Sequence, residues 1–196
     1  MEELIKLDHE LFLFLNNLGN ETWDWFWIAL SGKFTAVPLY VLLLFLIYKN
    51  FGVKGTLITL VLVAGLITCT DQLANVFKDG FERLRPCRQE GVMEHARMLA
   101  DYCGKYGYFS AHAASSTALA IYIGLILKDV YRKIIYFMIF WAILVSYSRI
   151  YVGVHYPGDV ITGIVIGSFL GWIFYKLQHF LIKKYTDVGI TEKEVF

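Results

Sequence analysis

Long, almost uncharged apolar stretches alternate along this chain with short segments where charges gather. Residues 34–48, 55–70, 134–148 and 160–175 carry no charged side chain, and the last of these leads on past Lys176 into 177–182. Residues 109–127 hold a single ionisable group, His112. A helix that crosses a bilayer needs roughly 20 mostly apolar residues. The pattern therefore predicts five spans, or six if residues 25–33, interrupted at Ser31, Gly32 and Lys33, stand alone or the N-terminus dips in. The stretch opening at Gly55 is expected to stay helical to Phe77. Near the N-terminus Leu4, Leu7, Leu11, Phe14, Leu15 and Leu18 recur at helical spacing, with Glu2, Glu3, Asp8 and Glu10 mostly between them. This reads as a short amphipathic helix lying in the membrane interface; an ordinary packing helix fits the same spacing. The segment lacks the basic start of a secretory signal, so no cleavage is expected. The expected fold is all-α: a polytopic membrane helical bundle, one domain over residues 1–196, with its chemistry in 71–160.

Composition sharpens the class. Hydrophobic residues make up 57% of the chain and charged residues 18%, against roughly 45–50% and about 25% in soluble domains. A disordered chain, a collagen-like chain and a nucleic-acid-binding module are excluded, and the net charge of +1 argues against a strongly charged partner. Aromatics reach 17%, and Tyr and Trp favour membrane–water interfaces.

Basic residues set an orientation. Lys49 and Lys54 flank one turn, Lys128, Arg132 and Lys133 crowd another, and Lys176, Lys183, Lys184 and Lys193 follow the last span. Counting spans puts all three groups on one side, which the positive-inside rule makes cytoplasmic. The segment from Lys78 to Tyr108 and the turn from Tyr151 to Asp159 then face outward. Two cysteines, Cys87 and Cys103, share that outward segment, and an oxidising compartment permits a bridge between them. It would close a loop of about 17 residues and add about 3 kcal/mol by chain entropy. Two unpaired thiols are the alternative. Cys69, inside a span, reads as a buried apolar filler.

Charges beside spans are costly and point to function. Three clusters stand at outward span ends. In the first, Asp71, Asn75 and Lys78 share one helical face, and Arg85 follows seven residues after Lys78, with Pro86 disfavouring helix at Arg85. Lys78 and Arg85 converge if the helix runs on to Leu84. A planar guanidinium beside a point charge suits phosphate; a basic anchor for lipid headgroups uses the same residues. Glu82 and Arg83 read as solvated or ion-paired. In the second cluster Ser110 is placed to cap a helix whose first N–H groups attract an anion. His112 stands in its first turn, able to give a proton to an oxygen held there; a structural hydrogen bond is the alternative. In the third, Pro157 can open a helix. His155 stands just before it and Asp159 in its first turn, so the carboxylate can fix one imidazole nitrogen and leave the other as a nucleophile. Arg149, at a span end, completes the cationic set or snorkels to the interface.

Lys78…Arg85-Pro86, then Ser110-Ala111-His112, then Ser148-Arg149…His155…Asp159 together resemble the signature of the type 2 phosphatidic acid phosphatase superfamily, which also includes vanadium haloperoxidases and glucose-6-phosphatase. The first and third motifs have the family's spacing. The middle one departs, with Phe109 for Pro and Ala111 for Gly, though Ala111 keeps a backbone N–H for an anion. The resemblance implies that His155 attacks phosphorus and becomes a phosphohistidine, with Asp159 orienting it. It implies that His112 protonates the leaving oxygen and then activates water, while Lys78, Arg85, Arg149, Ser110 and the Ala111 N–H hold the phosphoryl oxygens. No cofactor or metal is implied. Asp71 and Asn75 fall outside the signature and are expected to steady Lys78. Residues 87–108 are expected to cap the site, with Arg88, Arg97 and Lys105 near a second phosphate or sugar, or simply solvated.

These readings make the expected protein a bacterial inner-membrane phosphatase of lipid phosphates or diphosphates, with its site on the outer face and a membrane lipid as its partner. By analogy with the family the substrates are undecaprenyl diphosphate, which is slightly favoured, lipid A phosphates and phosphatidylglycerol phosphate. A lipid phosphotransferase using the same phosphohistidine, or a non-enzymatic lipid-binding or transport protein, are the alternatives.

Overall fold

The computed structural model describes residues 2–32 and 34–185; Lys33 and Lys193 lie outside the described residues. Six α-helices follow one another: α1 (Glu2–Asn17), α2 (Glu21–Ser31), α3 (Val37–Phe81), α4 (Ala111–Leu127), α5 (Ile134–Tyr151) and α6 (Pro157–Tyr185). There is no strand among the described residues, only an isolated bridge between Leu84 and Tyr106. α3, α5 and α6 are long and apolar enough to cross a membrane, and α4 is a shorter apolar helix.

The stretches 34–48 and 55–70 lie in a single element, α3, which is broken rather than straight. Gly52 sits at φ +61°, ψ −168°, a conformation open to glycine and strained for other residues. The two arms fold back on each other, so that Leu43 and Ile47 of the first meet Leu62 and Leu66 of the second in one core with Ala118, Tyr122 and Ile123 of α4. The helix runs past Phe77 but stops at Phe81, not Leu84, because Glu82 turns left-handed.

α4 and α6 form the tightest crossing. Gly163, Gly167 and Gly171 recur every four residues on α6, and a Cβ at any of them would strike the α4 backbone at Ser110, Ala114 or Ala118. Small residues at this spacing let helix backbones touch. A buried polar link ties the other end of the bundle: Gln178 of α6 donates to Thr59 of α3 at 2.9 Å and accepts from Tyr122 of α4. At that same end Asn50, beside the α3 break, reaches Tyr131 in the α4–α5 turn, so the basic clusters around residues 49–54 and 128–133 come together as the orientation argument expects. The opposite end gathers the end of α3, the start of α4, the end of α5 and the start of α6.

α1 is amphipathic, and of its predicted apolar stripe Leu4, Leu7, Leu11 and Phe14 are exposed, as is Leu18 just past its end, while Leu15 packs on the core. The face turned to the protein carries Asp8, His9, Phe12 and Asn16, of which Phe12 and Asn16 are fully buried. The Asn16 amide donates to the carbonyls of Arg97, Ile150 and Tyr151 and accepts from the Arg97 N–H at 2.7 Å. A buried amide engaged through both its nitrogen and its oxygen is a strong positional lock. Cys69 is exposed on α3, not a buried filler. Apolar side chains such as Phe45, Val61, Val165 and Phe169 are likewise exposed on the helix faces, as a hydrocarbon environment demands and water would not.

Candidate active site

The three clusters meet at one end of the bundle. α6 opens at Pro157, whose missing N–H costs nothing at a helix start, so Asp159 falls in the first turn and His155 just ahead of it. His155 Nδ1 lies 3.4 Å from Asp159 Oδ2, and that oxygen also accepts the Tyr156 N–H at 2.9 Å. Both side chains are buried, at 3% and 0% exposed. A buried carboxylate must be paired, and its partners here fix the ring. The tautomer with Nδ1–H on Asp159 leaves the Nε2 lone pair on the ring, which also makes a hydrogen bond with the Gly107 backbone.

Burial pushes the His155 imidazole well below its ordinary basicity, and the positive charges of Arg85, Arg149 and Lys78 add to the effect. The ring is therefore neutral at pH 7. The same three cations make the space around it attractive to an anion. Arg85 is held by two loops: Nε donates to the Tyr106 carbonyl of its own at 2.9 Å and Nη1 to the Val154 carbonyl of the α5–α6 connection at 3.4 Å. Its pKa is lowered, by burial first. Arg149 donates through Nη1 to Ser31 at the end of α2, while its buried Nε has no hydrogen-bond partner among the described residues. Lys78 is half-buried, with the charges of Arg85, Asp71 and Asp79 acting on it.

Ser110 caps α4, accepting the Ala113 N–H at 3.4 Å. Its own N–H donates to the Asp159 carbonyl at 3.0 Å and locks the starts of α4 and α6 together. The two departures from the family motif are absorbed here. Phe109 is fully buried with its edge on Phe77 at 5.0 Å, and the Ala111 methyl packs in the same cluster as Ala74 and Ala114. Ala111 opens α4, where the first backbone N–H groups have no intrahelical partner. His112 stands in the first turn, half-buried.

Other expected residues are placed less centrally. Asp71 and Asn75 are exposed on α3, and only Asp71 is seen to act on Lys78, through its charge. Cys87 and Cys103 are joined, with Cα atoms 6.6 Å apart. The chain on the two sides of this bridge pairs with itself, the Arg85 N–H donating to the Lys105 carbonyl and the Gly107 N–H to the Arg83 carbonyl. Arg97, expected near a second phosphate or sugar or else solvated, is ion-paired within the protein. It pairs with Asp24 of α2 at 2.7 and 2.8 Å and lies over Tyr151. Arg88 donates to the Cys103 carbonyl, and Lys105 lies over the Tyr106 ring.

Arg83, expected to be solvated or ion-paired, is ion-paired at the site itself. Arg83 lies inside the bundle end and donates to Asp159 Oδ1 at 3.0 Å and to Asp8 Oδ2 at 2.6 Å. Its place between Lys78 and Arg85 was the available signal, but its partners are 76 and 75 residues away in sequence.

The chain resembles known proteins over most of its length. It is 38% identical over 182 residues to the lipid A 4'-phosphatase of Bacteroides thetaiotaomicron, covering 91% of this chain and 80% of that one. It is 29% identical over 180 residues to an undecaprenyl-diphosphatase of Sulfolobus acidocaldarius, covering 90% and 81%. The crystal structure of Aquifex aeolicus LpxE superposes with a TM-score of 0.66 at 26% identity, over 85% of this chain and 93% of that one. The model of the PAP2 superfamily matches residues 56–183, which include all three clusters. With the motif residues gathered around one buried His–Asp pair, the chain belongs to the PAP2 superfamily.

Proposed function

We propose that this protein is an integral membrane phosphatase that hydrolyses the phosphate monoester of lipid A through a phosphohistidine at His155. The observation that carries the choice of headgroup is the 38% identity, over nine-tenths of the chain, to a lipid A 4'-phosphatase. Undecaprenyl diphosphate is the second reading, favoured by the likeness to a diphosphatase of that lipid.

The proposed chemistry runs through the residues gathered at His155. Lys78, Arg85 and Arg149 take the phosphoryl oxygens, helped by the first N–H groups of α4 behind Ser110 and Ala111. Nε2 of neutral His155 attacks phosphorus. The P–O bond to the lipid breaks as His112 gives its proton to the leaving oxygen, and phosphate is left on His155. His112, now a base, takes a proton from water. The water oxygen attacks phosphorus, the P–N bond breaks, and phosphate leaves. Fixed cations aimed at the charge of the transition state are the main source of rate in such transfers.

Five spans suit this reading: the two arms of α3, then α4, α5 and α6. α2 has eleven residues and rises about 16 Å, short of the roughly 30 Å hydrocarbon core. The leucine stripe of α1 then meets the outer leaflet, and the site opens on the periplasmic side of the inner membrane, away from the basic turns. The whole chain acts as one domain.

A phosphate-release panel in detergent with a chelator present tests the proposal. Lipid A phosphate is expected to turn over roughly tenfold faster than undecaprenyl diphosphate or phosphatidylglycerol phosphate, a difference of about 1.4 kcal/mol in the barrier. Labelled phosphate should appear in solution and not in lipid. Loss of release on chelation, or transfer of label to lipid, contradicts it.

A further inference from the structure

The nucleophile is supported from a distance by a residue of the first helix. Asp159 Oδ2 is taken by His155 Nδ1 and the Tyr156 N–H, and its Oδ1 by Arg83 Nη1 at 3.0 Å. Arg83 is a long side chain that would lose considerable rotamer freedom in reaching a single oxygen. Its other nitrogen, Nη2, is held at 2.6 Å by Asp8 Oδ2, and its guanidinium lies 4.2 Å above the Tyr156 ring. Asp8 is itself fixed from a second side, because its Oδ1 accepts the Gly158 N–H of α6 at 2.8 Å. His9, next on the same helix, stacks on Tyr156 at 4.6 Å. Charges alternate along the row: Asp8 negative, Arg83 positive, Asp159 negative, and then the imidazole that becomes cationic on phosphorylation.

We infer that Asp8 is a positioning residue for the phosphatase reaction, holding Asp159 and thus His155 in the attacking geometry through Arg83 and the first turn of α6. The inference rests on the reading of His155 as the nucleophile. Two effects act together. Asp8 fixes which oxygen of Asp159 the guanidinium takes, leaving the other for imidazole. It also shares the charge of Arg83, so that Asp159 keeps enough negative charge to stabilise the cationic ring.

Asp8 is not needed merely to dock α1. Asn16 and Phe12 do that independently, Asn16 standing eight residues further along, or about 12 Å, with four hydrogen bonds of its own. Asp8→Asn keeps the shape, but its one amide oxygen can accept the Gly158 N–H or Arg83 Nη2 and not both, so it removes the charge and one of the two hydrogen bonds.

The test compares kcat and KM for phosphate release from the lipid substrate in the full-length protein, normalised to folded protein. Asp8→Asn is expected to lower kcat about 10- to 30-fold, within the range that small misplacement of reacting groups produces, with KM changed less than about twofold because the phosphate-binding cations are untouched. Asp8→Glu, which restores the charge, should recover a substantial part of the loss. Glu10→Gln, on the exposed side of the same helix, should behave as wild type. Wild-type kcat in Asp8→Asn overturns the inference, as does a fall that Asp8→Glu does not lessen. If Asp8→Asn fails to fold, Arg83→Lys decides: it keeps the charge but cannot bridge both carboxylates in the same way, so a lower kcat at unchanged KM supports the inference and a wild-type kcat overturns it. His155→Ala is the parallel arm. Release that survives in His155→Ala sinks the nucleophile reading itself, a result distinct from any outcome at Asp8.

Discussion

Replacing His155 with Ala is expected to cut phosphate release by about a millionfold, to the floor of the assay, the scale seen when a covalent nucleophile is removed. No other side chain of the row is free to take over. Asp159 is spent on His155, Tyr156 and Arg83, and a water attacking directly would lack the base that Nε2 replaces. Binding should survive, because the proposed mechanism gives the phosphate to Lys78, Arg85 and Arg149 and not to the ring. The dissociation constant for the lipid is expected to stay within a few-fold of wild type while turnover disappears. The comparison also separates an enzyme from a lipid carrier, which would keep its whole activity after this change. Persistent turnover contradicts the nucleophile; loss of binding together with turnover contradicts the division of labour between ring and cations.

Asp159→Asn is expected to cost about 10³- to 10⁴-fold in kcat, comparable to the loss when a triad carboxylate becomes an amide. The change is almost isosteric, so its effect is electronic and tautomeric. An amide has one acceptor oxygen where the carboxylate has two. Arg83 Nη1, the Tyr156 N–H and His155 Nδ1 all converge on those oxygens. Wherever the amide oxygen goes, its NH₂ faces one of these donors. If it faces His155, the ring must accept at Nδ1 and carry its proton on Nε2, where the lone pair is needed. If it faces Arg83, a half-buried cation keeps only Asp8 as carboxylate partner. Kinetics with purified protein check this, and a loss of less than about tenfold contradicts the role given to Asp159.

How much of this was readable in the chain depends on how local each feature is. The Pro157 helix start, the Ser110 cap and the meeting of His155 with Asp159 are all set within a few residues, so spacing predicts them. The apolar stretches announce themselves as helices because a bilayer leaves the backbone no other partner. The break at Gly52 is consistent with two predicted spans on either side of a short basic turn. What spacing misses is long-range pairing. Arg83, read as solvated or ion-paired, is ion-paired, but its partners Asp8 and Asp159 are 75 and 76 residues away and no local spacing reveals them. Arg97 looked available for substrate because its true partner, Asp24, lies 73 residues away. The first helix was legible as amphipathic, and the interfacial reading of it already turns the leucines away from the protein; the polar partners of its other face were not legible. In water the leucines would turn inward, whereas here the polar side carrying Asp8 and Asn16 packs on the protein and the leucines face out. Cys69 follows the same rule, an apolar side chain with no need of burial beside lipid.

The most direct measurement is rapid quenching of the enzyme during turnover of lipid labelled in its phosphate, followed by peptide mapping under alkaline conditions that preserve phosphohistidine. The account predicts acid-labile label on the peptide containing His155, appearing and decaying at rates compatible with turnover, and absent from His155→Ala. Product formed with no label on the protein, or with label on another residue, would contradict it.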